Sequence, residues 1–236
     1  GDHVANPDLA RSLTMIARDG ADVFYRGEIA DKIDADMREN GGLIRRADLE
    51  AYRTTQVDPL RGSYRGFDIA TNHPPGGGIM LVEMLNILEN FDLSALGHNS
   101  TEYIRIVAEA MKAATADKDT CVGDPSFVDI PDYLTEKVYA AEIADRIRSG
   151  ERMLVTRLGQ PEPKDTTHVV VVDKAGMCVT MTHSLGMPSG VISDGLGFMY
   201  NGCMAVFDPR PGRAGSIAPG KSRFSSVVPT IAFRDG

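Results

Sequence analysis

One threonine stands where the chain could use it as a nucleophile. Thr166 follows the proline-containing segment 161–165 and opens a β-branched run that ends at Asp173. A hydroxyl is a weak nucleophile without a base, and the cheapest base is the residue's own α-amine, with an ordinary pKa of about 8. Cleavage of the Asp165–Thr166 bond would free that amine, so one residue would supply both groups. The alternative is that Thr166 and Thr167 are ordinary strand threonines.

The other residues with chemical potential do not form a metal or redox pattern. Cys121, Cys178 and Cys203 are scattered and include no Cys-x-x-Cys pair. The five histidines show no i, i+4 pairing around a glutamate, the spacing of a zinc protease helix. These spacings therefore predict no metal site, and the threonine chemistry described above requires no metal and no organic cofactor.

A diproline–triglycine run at 74–78 is the strongest loop signal in the chain. Its glycines allow close backbone contact, and a helix is predicted to begin at Gly78. A phosphate could bind the N–H groups at such a helix start. However, the Lys-Ser/Thr of a P-loop is absent, which favours a structural loop.

Hydrophobic periodicity predicts the elements that must position these residues. Apolar residues at helical spacing predict helices over 7–20, 22–39, 78–89, 100–119 and 135–150. Strands are predicted over 55–60, 66–70, 197–200 and 227–233, and a hairpin is predicted to pair 166–173, with 169–172 buried, with 177–184. Helices first and strands second indicate an α+β architecture in which helices cover a sheet.

Composition argues against nucleic-acid binding and shows no membrane-spanning segment. The 236 residues carry 25 Lys and Arg against 33 Asp and Glu, a formal net charge of −8, which disfavours nucleic acid as a partner. No apolar stretch approaches the roughly 20 residues of a membrane span. The chain begins at Gly1, so the sequence does not establish the compartment, and localisation is left unknown.

Ordered motifs along nearly the whole chain resemble one enzyme family. Around Thr166 they are Thr166-Thr167-His168, Val171-Val172-Asp173-x-x-Gly176 and Val179-Thr180-x-Thr182. The others, in order, are Gly20-x-x-x-x-Tyr25-x-Gly27-x-x-Ala30, Gly41-Gly42-Leu43-Ile44, Asp48-Leu49-x-x-Tyr52, Pro74-Pro75-x-x-Gly78, Leu85-Asn86-Ile87-Leu88-Glu89-x-Phe91-Asp92, Ala116-Asp117, Gly123-Asp124-Pro125-x-Phe127 and Ser225-Ser226-x-x-Pro229-Thr230. Together they resemble the γ-glutamyltransferase (γ-glutamyltranspeptidase) family.

The resemblance implies an N-terminal-nucleophile hydrolase made as a precursor that cleaves itself between Asp165 and Thr166. It implies a partial αββα sandwich, with 1–165 as the mainly helical C-terminal part of a large subunit. Residues 166–236 would be the mainly β N-terminal part of a small subunit. The family's arginine clamp would lie before residue 1 and its oxyanion-hole glycines after residue 236, so the resemblance implies that this sequence is a fragment.

The same resemblance assigns roles to individual residues. Thr166 would be the nucleophile toward a small-molecule amide such as glutathione, passing the acyl group to water or an amine. Thr182 would hydrogen-bond that nucleophile, and Ser184 stands where γ-glutamyl enzymes carry an asparagine that contacts the donor. Ser225 and Ser226 match the serine pair that holds the donor's α-carboxylate.

Two further departures from the family pattern leave the donor open. Val206 stands where γ-glutamyl enzymes carry the acid that pairs the α-ammonium, and Cys203 replaces their usual glutamine. Losing that acid would weaken recognition of an amino-acid donor, unless a neighbour such as Asp208 takes its place. The alternatives are therefore an acylase or amidohydrolase acting on another anionic amide, and a non-catalytic relative.

Overall fold

The computed structural model describes residues 3–155 and 166–234. Its contacts divide the chain into two compact units: unit 1, Gly1–Gln56 with Leu185–Cys203, and unit 2, Val57–Ser184 with Met204–Gly236. The helices are α1 (Pro7–Asp19), α2 (Asp22–Tyr25), α3 (Glu28–Glu39), α4 (Arg46–Ala51), α5 (Gly78–Glu89), α6 (Thr101–Cys121) and α7 (Lys137–Arg148). The strands are β1 (Leu60–Tyr64), β2 (Phe67–Thr71), β3 (Thr167–Val172), β4 (Cys178–His183), β5 (Pro188–Ile192), β6 (Met199–Asn201) and β7 (Thr230–Phe233).

Unit 1 is a small helical core with a two-stranded sheet of β5 and β6. Helix α1 begins at Pro7, because the Asn6 side chain accepts a hydrogen bond from the Leu9 N–H at 2.9 Å and proline suits the first helical position. The apolar stripes of the helices meet Leu196, which is fully buried. The core residues are Met15, Val23, Ile29, Ile33, Met37 and Leu196.

Unit 2 combines three packed helices with an antiparallel sheet. Helices α5, α6 and α7 enclose a core built from Ile87, Ile106, Ala110, Ala113, Ala140, Ile143, Ile147 and Met153. The sheet has the order β1-β2-β7, with Thr71 of β2 paired to Thr230 of β7. Gly62 on β1 lies under Val82 of α5, so the helix packs directly on the sheet. The predicted α+β character is confirmed in this unit.

The hairpin β3–β4 also belongs to unit 2 and carries Thr166 immediately before its first strand. The register pairs Thr167 with His183 and Val172 with Cys178, as the sequence predicted for a hairpin. The turn is fixed by Asp173, whose Oδ1 accepts hydrogen bonds from the N–H groups of Ala175 and Met177. Gly176 has a φ of 85°, a left-handed conformation that favours glycine.

The structure corrects two predicted boundaries. The single helix over 22–39 is two helices, α2 and α3, because the chain leaves helical geometry at Arg26 and a Cβ at Gly27 would lie 2.8 Å from the Val23 Cα. The strand over 55–60 is wrong, since β1 begins at Leu60. Arg65 and Gly66, which connect β1 to β2, both have positive φ, as a tight turn requires.

Other predictions from the sequence were incomplete or wrong. Helix α4 and strand β5 were missed, because neither has a long periodic pattern. The predicted burial of 169–172 is wrong: Val169 to Val172 are 41–64% exposed. The physical reason is that the hairpin is a two-stranded sheet within the described residues and both of its faces are accessible.

Candidate active site

The β3–β4 hairpin places several predicted site residues on one face. Opposed residues of an antiparallel pair point to the same side, and side chains alternate along each strand. His168 is paired with Thr182 and Val170 with Thr180. With Thr166 before β3 and Ser184 after β4, the alternation assembles what we call the polar face: Thr166, His168, Thr180, Thr182 and Ser184.

Hydrogen bonds link the members of the polar face. The Thr166 and Ser184 hydroxyl oxygens are 3.0 Å apart. The His168 Nδ1 lies 2.8 Å from the Thr182 Oγ1, and its Nε2 lies 3.1 Å from the Thr180 Oγ1. A neutral imidazole has one donor and one acceptor nitrogen, so it can bridge two hydroxyl groups. Thr166 is exposed, which leaves its hydroxyl accessible to a small molecule.

The arrangement differs in part from the roles that the sequence suggested. The hydroxyl of Thr182 bonds to His168, whereas the bond described for Thr166 is to Ser184. The role of Thr182 as direct partner of the nucleophile therefore stays a prediction. His168 was not among the predicted site residues, although the period-two spacing of 166 and 168 against 182 and 184 could have indicated it. Asp165, the predicted processing partner, lies outside the described residues.

The predicted carboxylate-binding serines are held by a separate element, the loop 74–78. The Ser225 N–H donates to the Pro75 carbonyl at 2.8 Å, and the Gly77 N–H donates to the Val227 carbonyl at 3.3 Å. Asn72 adds a third contact, from its Nδ2 to the same Val227 carbonyl at 2.9 Å. Ser225 is half-buried and Ser226 is exposed, so the Ser226 side chain is open to a ligand.

Asp208, the first acidic residue after Val206 along the chain, already forms an ion pair with Arg210. Arg210 donates from Nε and Nη2 to the two carboxylate oxygens of Asp208, at 2.9 and 2.7 Å, and its own N–H adds a third bond. These bonds lower the pKa of Asp208 to about 2, so the group is an anion with its charge compensated. Val206 is half-buried, and the buried Cys203 donates its thiol to the Leu185 carbonyl.

A second group of titratable residues, the Glu83 cluster (Glu83, Asp117 and Tyr139), lies among the helices of unit 2. Glu83 is 1% exposed, and its Oε1 has no hydrogen-bond partner. Burial, together with the hydrogen bond to Asp117 and its negative charge, raises the pKa of Glu83 to about 9. Tyr139 donates its hydroxyl to Asp117 at 2.6 Å. A cavity of about 300 Å³ adjoins Asp117 and Tyr139, and Thr166 does not line it.

The described parts of the chain contain neither a metal-ligand cluster nor a membrane-spanning helix. Within residues 3–155 and 166–234, no three His, Cys, Asp or Glu side chains are grouped as metal ligands. Across the same residues, none of the helices combines the length and apolar character needed to cross a bilayer.

A family model and several known proteins match this chain. The model described as Gamma-glutamyltranspeptidase matches residues 1–236. The "Glutathione hydrolase proenzyme" of Escherichia coli (strain K12) is 40% identical over 255 residues, which cover 100% of this chain and 44% of that protein. The "Acylase ACY 1 proenzyme" of Pseudomonas sp. (strain SE83) is 41% identical over 241 residues, covering 100% of this chain and 43% of that protein. The chain thus spans less than half the length of these relatives.

Solved structures give the same result for the fold. The cephalosporin acylase from Bacillus halodurans superposes with a TM-score of 0.82 at 28% identity, over 97% of this chain and 42% of that one. The predicted fold class, a part of an α+β N-terminal-nucleophile hydrolase, is confirmed by this agreement.

Proposed function

Because the chain belongs to the gamma-glutamyltranspeptidase family, we propose that the protein containing it is an autoprocessing threonine amidohydrolase or acyltransferase. Its donor would be a γ-glutamyl amide such as glutathione, cleaved through an acyl-enzyme. The observation that carries the proposal is the position of Thr166. This residue precedes β3, is exposed and lies 3.0 Å from the Ser184 hydroxyl, and the sequence resemblance assigns it the role of nucleophile.

Processing would come first in the proposed sequence of reactions. The Thr166 Oγ attacks the Asp165 carbonyl carbon, and the peptide C–N bond breaks as the hydroxyl proton passes to the departing nitrogen. An ester to Thr166 then replaces the amide. Water then hydrolyses the ester, which leaves a carboxylate on Asp165 and a free α-amine on Thr166. The products would be the two subunits, with 1–165 in the large one and 166–236 in the small one.

Turnover would use the same hydroxyl. The freed amine accepts the Thr166 Oγ proton as the oxygen attacks the amide carbonyl of the donor, and that proton passes to the departing amine. The acyl-enzyme is then resolved by water or by an amine acceptor. The exposed Ser226 and its neighbour Ser225 would bind the donor's carboxylate. No step calls on a metal or an organic cofactor.

A second candidate function, acylase action on another anionic amide, is favoured by the state of Asp208. An amino-acid donor needs an anionic partner for its α-ammonium. Val206 cannot supply it, and Asp208 is already bonded to Arg210 through both carboxylate oxygens. A relative that shares 41% identity carries the name acylase. Comparing the cleavage of γ-glutamyl-p-nitroanilide with that of glutaryl-p-nitroanilide separates the two candidates.

The experiment that tests the main proposal replaces Thr166 in the full-length parent protein. We expect the parent to yield two subunits on a denaturing gel and a new N-terminus at Thr166 by mass spectrometry. Thr166→Ala should remain one chain, whereas Thr166→Ser, which keeps a hydroxyl, should retain cleavage. Cleavage at 165/166 in Thr166→Ala would refute the assignment of the nucleophile, and an uncleaved, inactive parent would favour a non-catalytic relative.

A further inference from the structure

The loop 74–78 meets the serine segment through backbone atoms. Ser225 and Val227 are both bonded to it, by the Ser225 N–H to the Pro75 carbonyl and by the Gly77 N–H to the Val227 carbonyl. Gly76 forms an isolated parallel β-bridge with Ser225. The peptide group of Ser226 is therefore fixed on both sides by contacts to one loop.

Gly77 is required at this contact for its size. Its φ of −76° and ψ of −1° are open to any residue, so backbone conformation does not demand glycine there. A Cβ at this position would lie 3.2 Å from the Ser226 carbonyl oxygen and 2.9 Å from the Val228 Cγ2. A methyl group would therefore push the Ser226 backbone away by a few tenths of an ångström.

We infer that the loop 74–78, through Gly77, sets the position of Ser225 and Ser226 and so determines selectivity for donors that carry a free carboxylate. The inference rests on the proposed function, in which this serine pair binds that carboxylate. Gly77 touches no substrate in this account and is a positioning residue. The motif that could have been mistaken for a phosphate loop thus acquires a role in holding the serines.

The loop and the serine pair lie on opposite sides of the proposed cleavage point in the sequence. Gly77 precedes the 165/166 junction and Ser226 follows it. After processing, the serine pair of the small subunit would be held by a loop of the large subunit. Carboxylate selectivity would then depend on contacts between the two products of a single precursor.

Gly77→Ala in the full-length parent tests the inference. The donor is whichever of γ-glutamyl- and glutaryl-p-nitroanilide the parent cleaves faster, assayed beside the same anilide with its free carboxylate converted to an amide. For the carboxylate donor we expect kcat/KM to fall at least about tenfold, mainly through KM, since a hydrogen bond to a charged group is misplaced. For the amidated donor kcat/KM should change less than about threefold, and subunit cleavage should persist.

Gly62→Ala is the matched control. A Cβ at Gly62 would be equally crowded, at 2.9 Å from the Val82 Cγ1, but its three nearest atoms all belong to the buried Val82 side chain and none belongs to the serine segment. It should leave the ratio of the two donors unchanged even where it lowers the melting temperature. An unchanged ratio in Gly77→Ala, or an equal change in Gly62→Ala, would overturn the inference.

A second variant covers the case in which Gly77→Ala does not fold. Asn72→Ala removes the 2.9 Å hydrogen bond to the Val227 carbonyl without adding atoms. A selective loss for the carboxylate donor supports the inference, and equal losses for both donors refute it. Failure of the proposed function itself has a different signature, because the unmodified parent would then neither process nor cleave either donor.

Discussion

Glu83 should make the stability of the parent protein fall as pH rises, and Glu83→Gln should remove that dependence. Burial is the main cause that raises the pKa of Glu83 from 4.5 to about 9, and Asp117 adds to it. Below pH 4.5 the folded and unfolded chains both hold the proton. Between pH 4.5 and about 9 only the folded chain holds it, so each pH unit lowers the free energy of unfolding by about 1.4 kcal/mol.

The magnitude at neutral pH follows from that slope. At pH 7 the free energy of unfolding is about 3 kcal/mol lower than at pH 4.5 because of Glu83, which is a large part of the stability of an ordinary domain. A glutamine amide is neutral at every pH and can donate to Asp117 in place of the protonated carboxyl group. The stabilisation of Glu83→Gln relative to the parent should therefore be small near pH 5 and grow steadily up to pH 8.5.

The assay is urea unfolding of the full-length protein at pH 5, 6, 7 and 8.5, followed by far-UV circular dichroism. Glu142→Gln, an exposed substitution on α7, is the control and should track the parent at each pH. Parallel stability profiles for the parent and Glu83→Gln would refute the reasoning. They would mean that Glu83 is ionised in the folded protein despite its burial.

Three shorter predictions concern other residues. Burial alone would raise the pKa of Asp124, but hydrogen bonds, the first from the Ser222 N–H at 2.7 Å, hold its pKa below the ordinary value. Asp124→Asn should therefore lower the free energy of unfolding by about 1.5–3 kcal/mol at pH 7 and by less near pH 3. Denaturant unfolding at the two pH values measures this difference. Ile29 is fully buried, so Ile29→Ala should lower the free energy of unfolding by about 2–5 kcal/mol in urea titrations, and a loss under 1 kcal/mol would contradict the packing. His168→Ala should lower kcat for anilide cleavage about tenfold or more with little change in KM, because the ring that orients the Thr182 hydroxyl is lost.

Local sequence patterns predicted many of the helices and strands. Asn6 followed by Pro7 marked the start of α1, and β-branched residues around a turn at Asp173 marked the hairpin. Both patterns work because the interactions lie within a few residues of one another. The break between α2 and α3 is also local, but the apolar periodicity continues through it. The close approach of Gly27 to the Val23 backbone that accompanies the break is seen only in three dimensions.

Strand alternation predicts which site residues lie close together only when those residues belong to paired strands. Once a hairpin is assumed, Thr166, His168 and Thr182 fall on one face by alternation. The docking of Ser225 against Pro75 joins residues 150 positions apart, and no local pattern reports it. The pairing of Asp208 with Arg210 is local in sequence, but its meaning depends on which donor groups the site must hold.

The strict two-residue alternation of the hairpin limits how this region can vary in length. Adding a single residue to β4 ahead of Thr180 would turn Thr182 and Ser184 to the side now occupied by Val179 and Met181, whereas adding two would restore them. Tolerated insertions at this place should therefore come in even numbers, and an odd one should need a compensating bulge. Whether an insertion has an even or an odd number of residues therefore indicates better than the identity of any one valine whether the hairpin keeps its polar face.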